Sequence, residues 1–397
     1  MNTSISEIAQ KVGKIKTALD QYHLDSLLLR SIPNCLYLTG SVFRGYIYID
    51  RSLELPLLFL ERPTDVLEGY PEDCIYSIRK PELIPDILKE RGLTISNQTA
   101  LELGYLPVTD YLRLSRLSPV GVSDVDASVL MRQVRSVKTD QELTELRRLA
   151  EIHMEIYRII PELFRPGMSE LDLQHQIEYQ MRRRGSVGLF RAFGPDMEIF
   201  MGNVISGDNA DNPAPYDFTM GGKGVFAMPM GATNREIKPD TAVMVDMSGN
   251  YGVYQTDITR TYYLGELPEK AIQAHKVSQE LLLWFESYAK EGVPVSEIYQ
   301  HCAETADKAG LSDYFMGHRN QVKFVGHGVG IEINEVPVLT ARSKDIFQSG
   351  MVIALEPKFV IPGIGALGAE NTYIIGDNGA ENITPLPTDL IPLTETL

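Results

Sequence analysis

Cysteine is scarce in this chain. Cys35, Cys74 and Cys302 are the three among 397 residues, and they stand too far apart for a metal knuckle or a Cys-x-x-Cys redox pair. The expectation is reduced, partly buried thiols in a cytoplasmic protein. Long apolar runs are missing as well: none approaches the ~18 unbroken residues that a membrane-spanning helix requires. The opening stretch MNTSISEIAQKVGKIKTALD has no apolar h-region and no small-residue cleavage site, so no signal peptide is expected there. Basic residues are outnumbered, 37 Lys+Arg against 53 Asp+Glu for a net charge of -16, which argues against a nucleic-acid backbone as the main partner. Low-complexity tracts and short-period repeats are also absent from the sequence.

What is present suits an ordinary globular chain. A hydrophobic content of 44% over this length is enough for two or three domains with sizeable cores. The acidic excess falls almost wholly after residue 138, which raises the question of whether some carboxylates gather to hold cations. Ile8, Val12, Ile15 and Leu19 recur at helical spacing and predict a helix over 5–22. Short apolar runs at 26–29, 36–39, 46–49 and 55–60, bounded by turn residues, read as strands. A helix over 81–91 capped by Gly92 and a strand over 99–103 complete an α/β domain, 1–135.

Beyond it the pattern changes. Thr139 with Glu142, and Ser169 with Asp172, open two helical stretches over 139–164 and 169–184 as capping boxes do. Further helices are predicted over 269–290 and 295–309, and strands over 187–191, 242–247, 259–264, 321–324, 352–359 and 371–375. Residues 136–397 therefore read as a mixed α+β domain. Gly221-Gly222-Lys223-Gly224 lacks the full Walker pattern and reads as a loop. Phe190, Phe193, Phe200 and Met201 are candidates for either a pocket wall or plain core.

The chemistry-bearing residues lie in this second part. In VMVDMSGNYGVYQTDITRTYYLG, two β-rich runs flank Gly249, Asn250 and Gly252 and so predict a hairpin. Asp246 sits inside the first run and Asp257 enters the second. A carboxylate in an apolar strand must pair, protonate or bind a metal. In FVGHGVGIEINEVPVL, His327 stands between two glycines, which let the backbone approach closely and suit a side chain presented into a cleft. Glu356 ends the run GMVIALEP and Glu370 precedes the run NTYII. Each acid alone reads as a strand-end residue. Together, two Asp, one His and two Glu offer a hard donor set suited to Mn, Co, Fe(II) or Zn. Five ligands exceed the needs of one open site and suit two ions ~3.5–4 Å apart.

The order Asp246, Asp257-Ile258-Thr259-Arg260-Thr261, Gly326-His327-Gly328, Glu356-Pro357, Glu370 resembles the pita-bread metallopeptidase family of methionine aminopeptidase, aminopeptidase P and prolidase, with the non-metal relative creatinase. The stretches Asp25-Ser26-Leu27 and Asn34 to Gly40 resemble the N-terminal domain of the prolidase and creatinase branch. The resemblance implies an α+β pita-bread domain behind a smaller α/β domain, a pair of divalent ions (Mn, Co, Fe or Zn) and a homodimer; the charge and the lack of long apolar runs set the expectation of no nucleic-acid and no membrane partner. By the same resemblance, Asp246 would chelate one ion, Asp257 and Glu370 would bridge both, and His327 and Glu356 would bind the other. Glu356 would accept a proton from the attacking water.

The chain also departs from that pattern. Prolidase-like enzymes carry His-Glu where Asn334-Glu335 stands, which makes these two the candidate substrate-binding residues. A second substrate-side His is replaced by the Asn212-Pro213-Ala214-Pro215 stretch. A basic residue shortly before the last Glu is Gly368 here. Three readings follow: an Xaa-Pro aminopeptidase or dipeptidase acting on peptides, another reaction on the same cage such as cleavage of a small amide or C–N bond, and a non-catalytic binding module.

Overall fold

The computed structural model describes residues 3–194, 200–216 and 221–393, apart from 64, 66 and 68. They fall into two units, Met1–Arg135 and Ser136–Leu397. The first is built on one sheet of five strands in the order β4-β3-β2-β1-β5: β1 (Ser26–Leu29), β2 (Gly45–Asp50), β3 (Leu57–Leu60), β4 (Ile75–Ser77) and β5 (Thr99–Leu101). Strands β1 to β3 are antiparallel neighbours, and β4 and β5 join the two edges in parallel. Leu28, Tyr46, Tyr48, Leu57 and Phe59 share one core with Ile84 and Leu88 of a helix over Ile84–Glu90. A helix over Ile5–Gln21 buries Ile8, Val12, Ile15 and Leu19, the stripe its spacing predicts.

One predicted strand in this unit is a helix. Residues 36–39 belong to a helical segment, Ile32–Thr39. Ser31 caps it by accepting from the Asn34 amide, Pro33 sits in the first turn, and Gly40 closes it at φ 68°. Buried Glu102 fixes this start, accepting from Ser31 N, Ser31 Oγ and Asn34 Nδ2 at 2.8, 2.5 and 2.6 Å. A short apolar run cannot by itself separate strand from buried helix.

In the second unit, the helices Asp140–Leu163 and Glu170–Arg183 open on the predicted capping boxes. Helices Glu269–Tyr288 and Val295–Lys308 follow. Eleven strands continue the numbering: β6 (Gly202–Ser206), β7 (Thr241–Gly249), β8 (Thr256–Leu264), β9 (Gly326–Gly328), β10 (Glu335–Val338), β11 (Val352–Leu355), β12 (Lys358–Ile361), β13 (Gly365–Gly368), β14 (Asn371–Ile375), β15 (Ala380–Asn382) and β16 (Ile391–Pro392). They form sheets ordered β16-β8-β7-β6 and β10-β9-β11-β14-β15, with β12-β13 as a ribbon. Leu281, Leu282 and Phe285 of the 269–288 helix share a core with Ile353, Leu355 and Tyr373.

The predicted strands over 187–191 and 321–324 are loops, and the run 352–359 is two strands rather than one. The break falls at Glu356-Pro357, where proline has no N–H to give the ladder. The register nevertheless carries through. Leu355 pairs with Asn371, and Lys358 pairs with Gly368. This is the same alignment resumed on the far side of the break, so Glu356 comes opposite Glu370.

Candidate metal centre

The β7–β8 hairpin supplies the first two acids. Its register sets Asp246 opposite Thr259 and Ser248 opposite Asp257. Side chains alternate along a strand, so all four share one face. On the other side of β7, Asn203 of β6 lies opposite Asp246 and joins that face. Tyr157 holds the hairpin from behind, its hydroxyl donating to the Ile258 carbonyl and accepting from Met247 N at 3.0 Å.

The run Asp257-Ile258-Thr259-Arg260-Thr261 can then be read residue by residue. Asp257 faces the centre. Thr259 Oγ1 donates to Glu370 Oε2 at 2.6 Å. Thr261 Oγ1 donates to the Gly368 carbonyl at 2.7 Å. Arg260, on the opposite face and buried, donates to the carbonyls of Thr259, Glu370, Pro387 and Leu386 and to Asn371 Oδ1. Alternate residues thus serve the centre while Arg260 ties down the backbone that carries Glu370.

His327 arrives on β9, paired with Ala354 of β11. Its Nδ1 lies 3.1 Å from the Gly328 carbonyl. A carbonyl can only accept, so Nδ1 carries the proton and Nε2 keeps its lone pair for a ligand. That Nε2 is 3.8 Å from Asp257 Oδ2 and 3.7 Å from Glu356 Oε1. Burial pushes His327 below its usual pKa and so favours the neutral ring, although Glu370 pulls the other way. Burial raises Asp257 well above the usual carboxylate range, with Glu370, Asp246 and Glu356 adding to it, and holds Glu370 up at about 7.

The five predicted ligands, Asp246, Asp257, His327, Glu356 and Glu370, therefore converge, and they make two groups. Asp257, His327 and Glu370 offer ligand atoms within 4.8 Å of one another, and so do Asp246, Glu356 and Glu370. The first group fits a divalent ion. Ligand distances of ~2.0–2.2 Å place donors about 3–4 Å apart, and His327 Nε2 lies 3.8 Å from Asp257 Oδ2. Glu370 Oε1, buried, has no hydrogen-bond partner among the described residues.

The second group already surrounds a cation. Lys358 Nζ lies 2.7 Å from Asp246 Oδ2, 2.7 Å from Glu356 Oε2 and 3.1 Å from Glu370 Oε2. Burial opposes the ammonium, but the carboxylates outweigh it and hold Lys358 well above its usual pKa. Lys358 escapes a motif reading because it looks like an ordinary polar strand residue. The signal is its position two residues beyond Glu356, on the same face of the ribbon and directly across from Gly368.

Above the centre lies an open cleft. Asp246, Asp257, His327, Glu356 and Glu370 form part of its lining, and Phe190, Phe200, Met230 and Ile333 supply apolar wall. Phe193 and Met201 are not in that lining; Met201 is buried. Asn334 lines the cleft, yet its amide is engaged. Oδ1 accepts from Phe193 N and Nδ2 donates to Phe193 O, both at 2.8 Å. Glu335 lies outside the lining, buried against Lys138 Nζ at 3.2 Å, with Oε1 accepting from Ile331 N. Asn203 was not singled out in the sequence because β6 was not recognised. It lines the cleft, and its buried Oδ1 has no hydrogen-bond partner among the described residues.

Comparison with known proteins places these features in a family. Residues 144–377 match the model of metallopeptidase family M24, and residues 11–137 match that of the creatinase/prolidase N-terminal domain. An Xaa-Pro dipeptidase of Pyrococcus furiosus is 25% identical over 386 residues, 96% of this chain and 99% of its own length. Among solved structures, an Xaa-Pro dipeptidase from Bacillus anthracis superposes with a TM-score of 0.79 at 24% identity, covering 97% of this chain and 99% of its own. The prolidase from Pyrococcus horikoshii does so at 0.76 and 23%, covering 96% and 100%. These structures share the fold. With the metallopeptidase model matching more than half of its length, the chain belongs to metallopeptidase family M24.

Proposed function

We propose that this protein is a metal-dependent Xaa-Pro peptidase, cleaving the amide bond before proline in short peptides. The observation that carries the reading is the buried convergence of Asp257, His327, Glu356 and Glu370 on the floor of an apolar-walled cleft. The names of its relatives, Xaa-Pro dipeptidases along nearly their whole length, direct it to proline. Asp257, His327, Glu370 and Glu356 would hold a divalent ion, with manganese as first choice and Co, Fe or Zn as the others. Bound there, such an ion supplies an acidified water and a polarised carbonyl. The fixed tautomer of His327 directs Nε2 inward. Glu356 accepts the proton through Oε1, which faces His327 while Lys358 holds Oε2. The apolar wall of Phe190, Phe200, Met230 and Ile333 excludes water and receives the pyrrolidine ring. A homodimer in the cytoplasm completes the proposal.

One observation favours the second reading, cleavage of a small amide. Apart from His327, no histidine is among the described residues lining the cleft, and the amide of Asn334 is turned to Phe193. A panel of Xaa-Pro dipeptides, longer Xaa-Pro peptides and small amides, assayed with added Mn²⁺, separates the two. Release of free proline or of the N-terminal residue supports the peptidase. Turnover of small amides alone, with metal bound, overturns it.

A further inference from the structure

A lysine is an unusual guest among metal ligands. Asp246, Glu356 and Glu370 form one of the two ligand groups of the centre, and all three accept from Lys358 Nζ at 2.7, 2.7 and 3.1 Å. An ammonium has three protons, and these contacts account for all of them. The side chain is about 1% exposed, so it is not a surface lysine that has strayed inward. Its backbone is fixed too. Lys358 is paired with Gly368, and the ribbon's period of two puts it on the face of Glu356 and Glu370. Gly368 adopts φ 140°, and a Cβ there would fall 2.6 Å from the Pro357 carbonyl and 3.1 Å from Lys358 Cα. The cross-strand neighbour is thus pared to nothing where the lysine turns inward.

A divalent ion bound by the same three carboxylates would need the space and the oxygens that Nζ occupies. It would also set a double positive charge against a single one at ligand distance in a buried site, where repulsion is weakly screened. The first group is different. Its Glu370 Oε1 is unpartnered among the described residues, and Nε2 of His327 is clear of the ammonium's three contacts.

We propose that the Lys358 ammonium takes the place of the second cation, so that this member of the family binds a single divalent ion, at Asp257, His327 and Glu370 with Glu356 beside them. The inference rests on the reading of the centre as a metal site. It assigns Lys358 a positioning role: it neutralises Asp246, pins Oε2 of Glu356 and leaves Oε1 to face the ion.

The test is metal stoichiometry on the stripped full-length chain titrated with Mn²⁺, followed by calorimetry and by electron paramagnetic resonance. Wild type is expected to take one ion per chain and show the hyperfine pattern of isolated Mn²⁺. Lys358→Gly, which frees three carboxylates, is expected to take two and show the spectrum of an exchange-coupled pair. Lys358→Met, which removes the charge but keeps the bulk, tests whether space or charge excludes the ion. Two ions with a coupled spectrum in wild type would overturn this inference and leave the metallopeptidase reading standing. No ion bound by wild type would overturn both. Should the variants fail to fold, wild-type stoichiometry and spectrum decide the question by themselves.

Discussion

Replacing Asn334 with alanine tests how the cleft is walled. The native amide gives Phe193 both a donor and an acceptor at 2.8 Å. It thereby clips the segment that carries Phe190 into the cleft lining. Each neutral hydrogen bond contributes about 1 kcal/mol net, so two give about 2 kcal/mol. The segment keeps other anchors: the Arg191 carbonyl accepts from Ile333 N at 2.8 Å and Gln255 Nε2 at 2.7 Å, and the Leu189 carbonyl accepts from Asn250 Nδ2 at 2.7 Å. The loss should therefore appear as local loosening, worth about 1–2 kcal/mol of substrate binding, or ~5- to 30-fold. Steady-state kinetics on an Xaa-Pro dipeptide should show KM rising by that factor with kcat changed less than about 3-fold. Asn334→Asp, which keeps the acceptor and loses the donor, should fall between. A collapse of kcat at unchanged KM would refute the reasoning, because it would place the Asn334 amide on the reacting group rather than on Phe193.

Three further outcomes follow from the same contacts. Asp257→Ala or Glu370→Ala should abolish most Mn²⁺ binding, whereas Asp246→Ala, whose carboxylate faces Lys358, should spare it; equal loss in all three would contradict the division of the centre. Arg260→Met leaves a set of buried carbonyls without their donor, at about 1–3 kcal/mol for each acceptor left unsatisfied, and should cost at least about 2 kcal/mol in denaturant unfolding, with Arg260→Lys failing to rescue; a cost below about 1 kcal/mol would show that the arginine does not hold the Glu370 backbone. His153 is buried with Nδ1 2.9 Å from Thr256 Oγ1, and burial, aided by Arg260, lowers its pKa to about 3. The native ring stays neutral where the unfolded chain protonates, so its contribution is whole above about pH 6.5 and is lost as pH falls towards 3, at ~1.4 kcal/mol per unit. By about pH 5 wild type should have lost about 2 kcal/mol more than His153→Gln; equal slopes in urea unfolding would refute this.

Much of the centre could be read from the sequence because its residues break local rules. Asp246 and Asp257 stand in apolar strands around a glycine-rich turn, and a hairpin with those strands can present both on one face. His327 is marked by the glycines on either side, whose closeness to β10 and β11 the structure explains: a Cβ on Gly326 would meet the Ala354 carbonyl at 2.3 Å, and one on Gly328 the Val336 carbonyl at 2.3 Å. Lys358 was not legible in the same way. Its meaning depends on a register that resumes across the Glu356-Pro357 break, and a single sequence shows that only once the partner strand is known. Asn334 was picked out by comparison with the family, but its contact is with a loop residue 141 positions away. The 32–39 helix was lost for the opposite reason: its Ser31 cap and Gly40 stop are plain, but the apolar run between them suits either element.

The claim that holds the account together is that the acid–histidine cage binds a cation that peptide cleavage needs. The direct measurement is kcat/KM on an Xaa-Pro dipeptide for wild type stripped by a chelator and then reloaded with Mn²⁺, beside Asp257→Ala treated in the same way. Cleavage should vanish on stripping, return on reloading, and stay absent in Asp257→Ala at every Mn²⁺ concentration. An undiminished rate in the stripped protein, or full activity in Asp257→Ala, would contradict it.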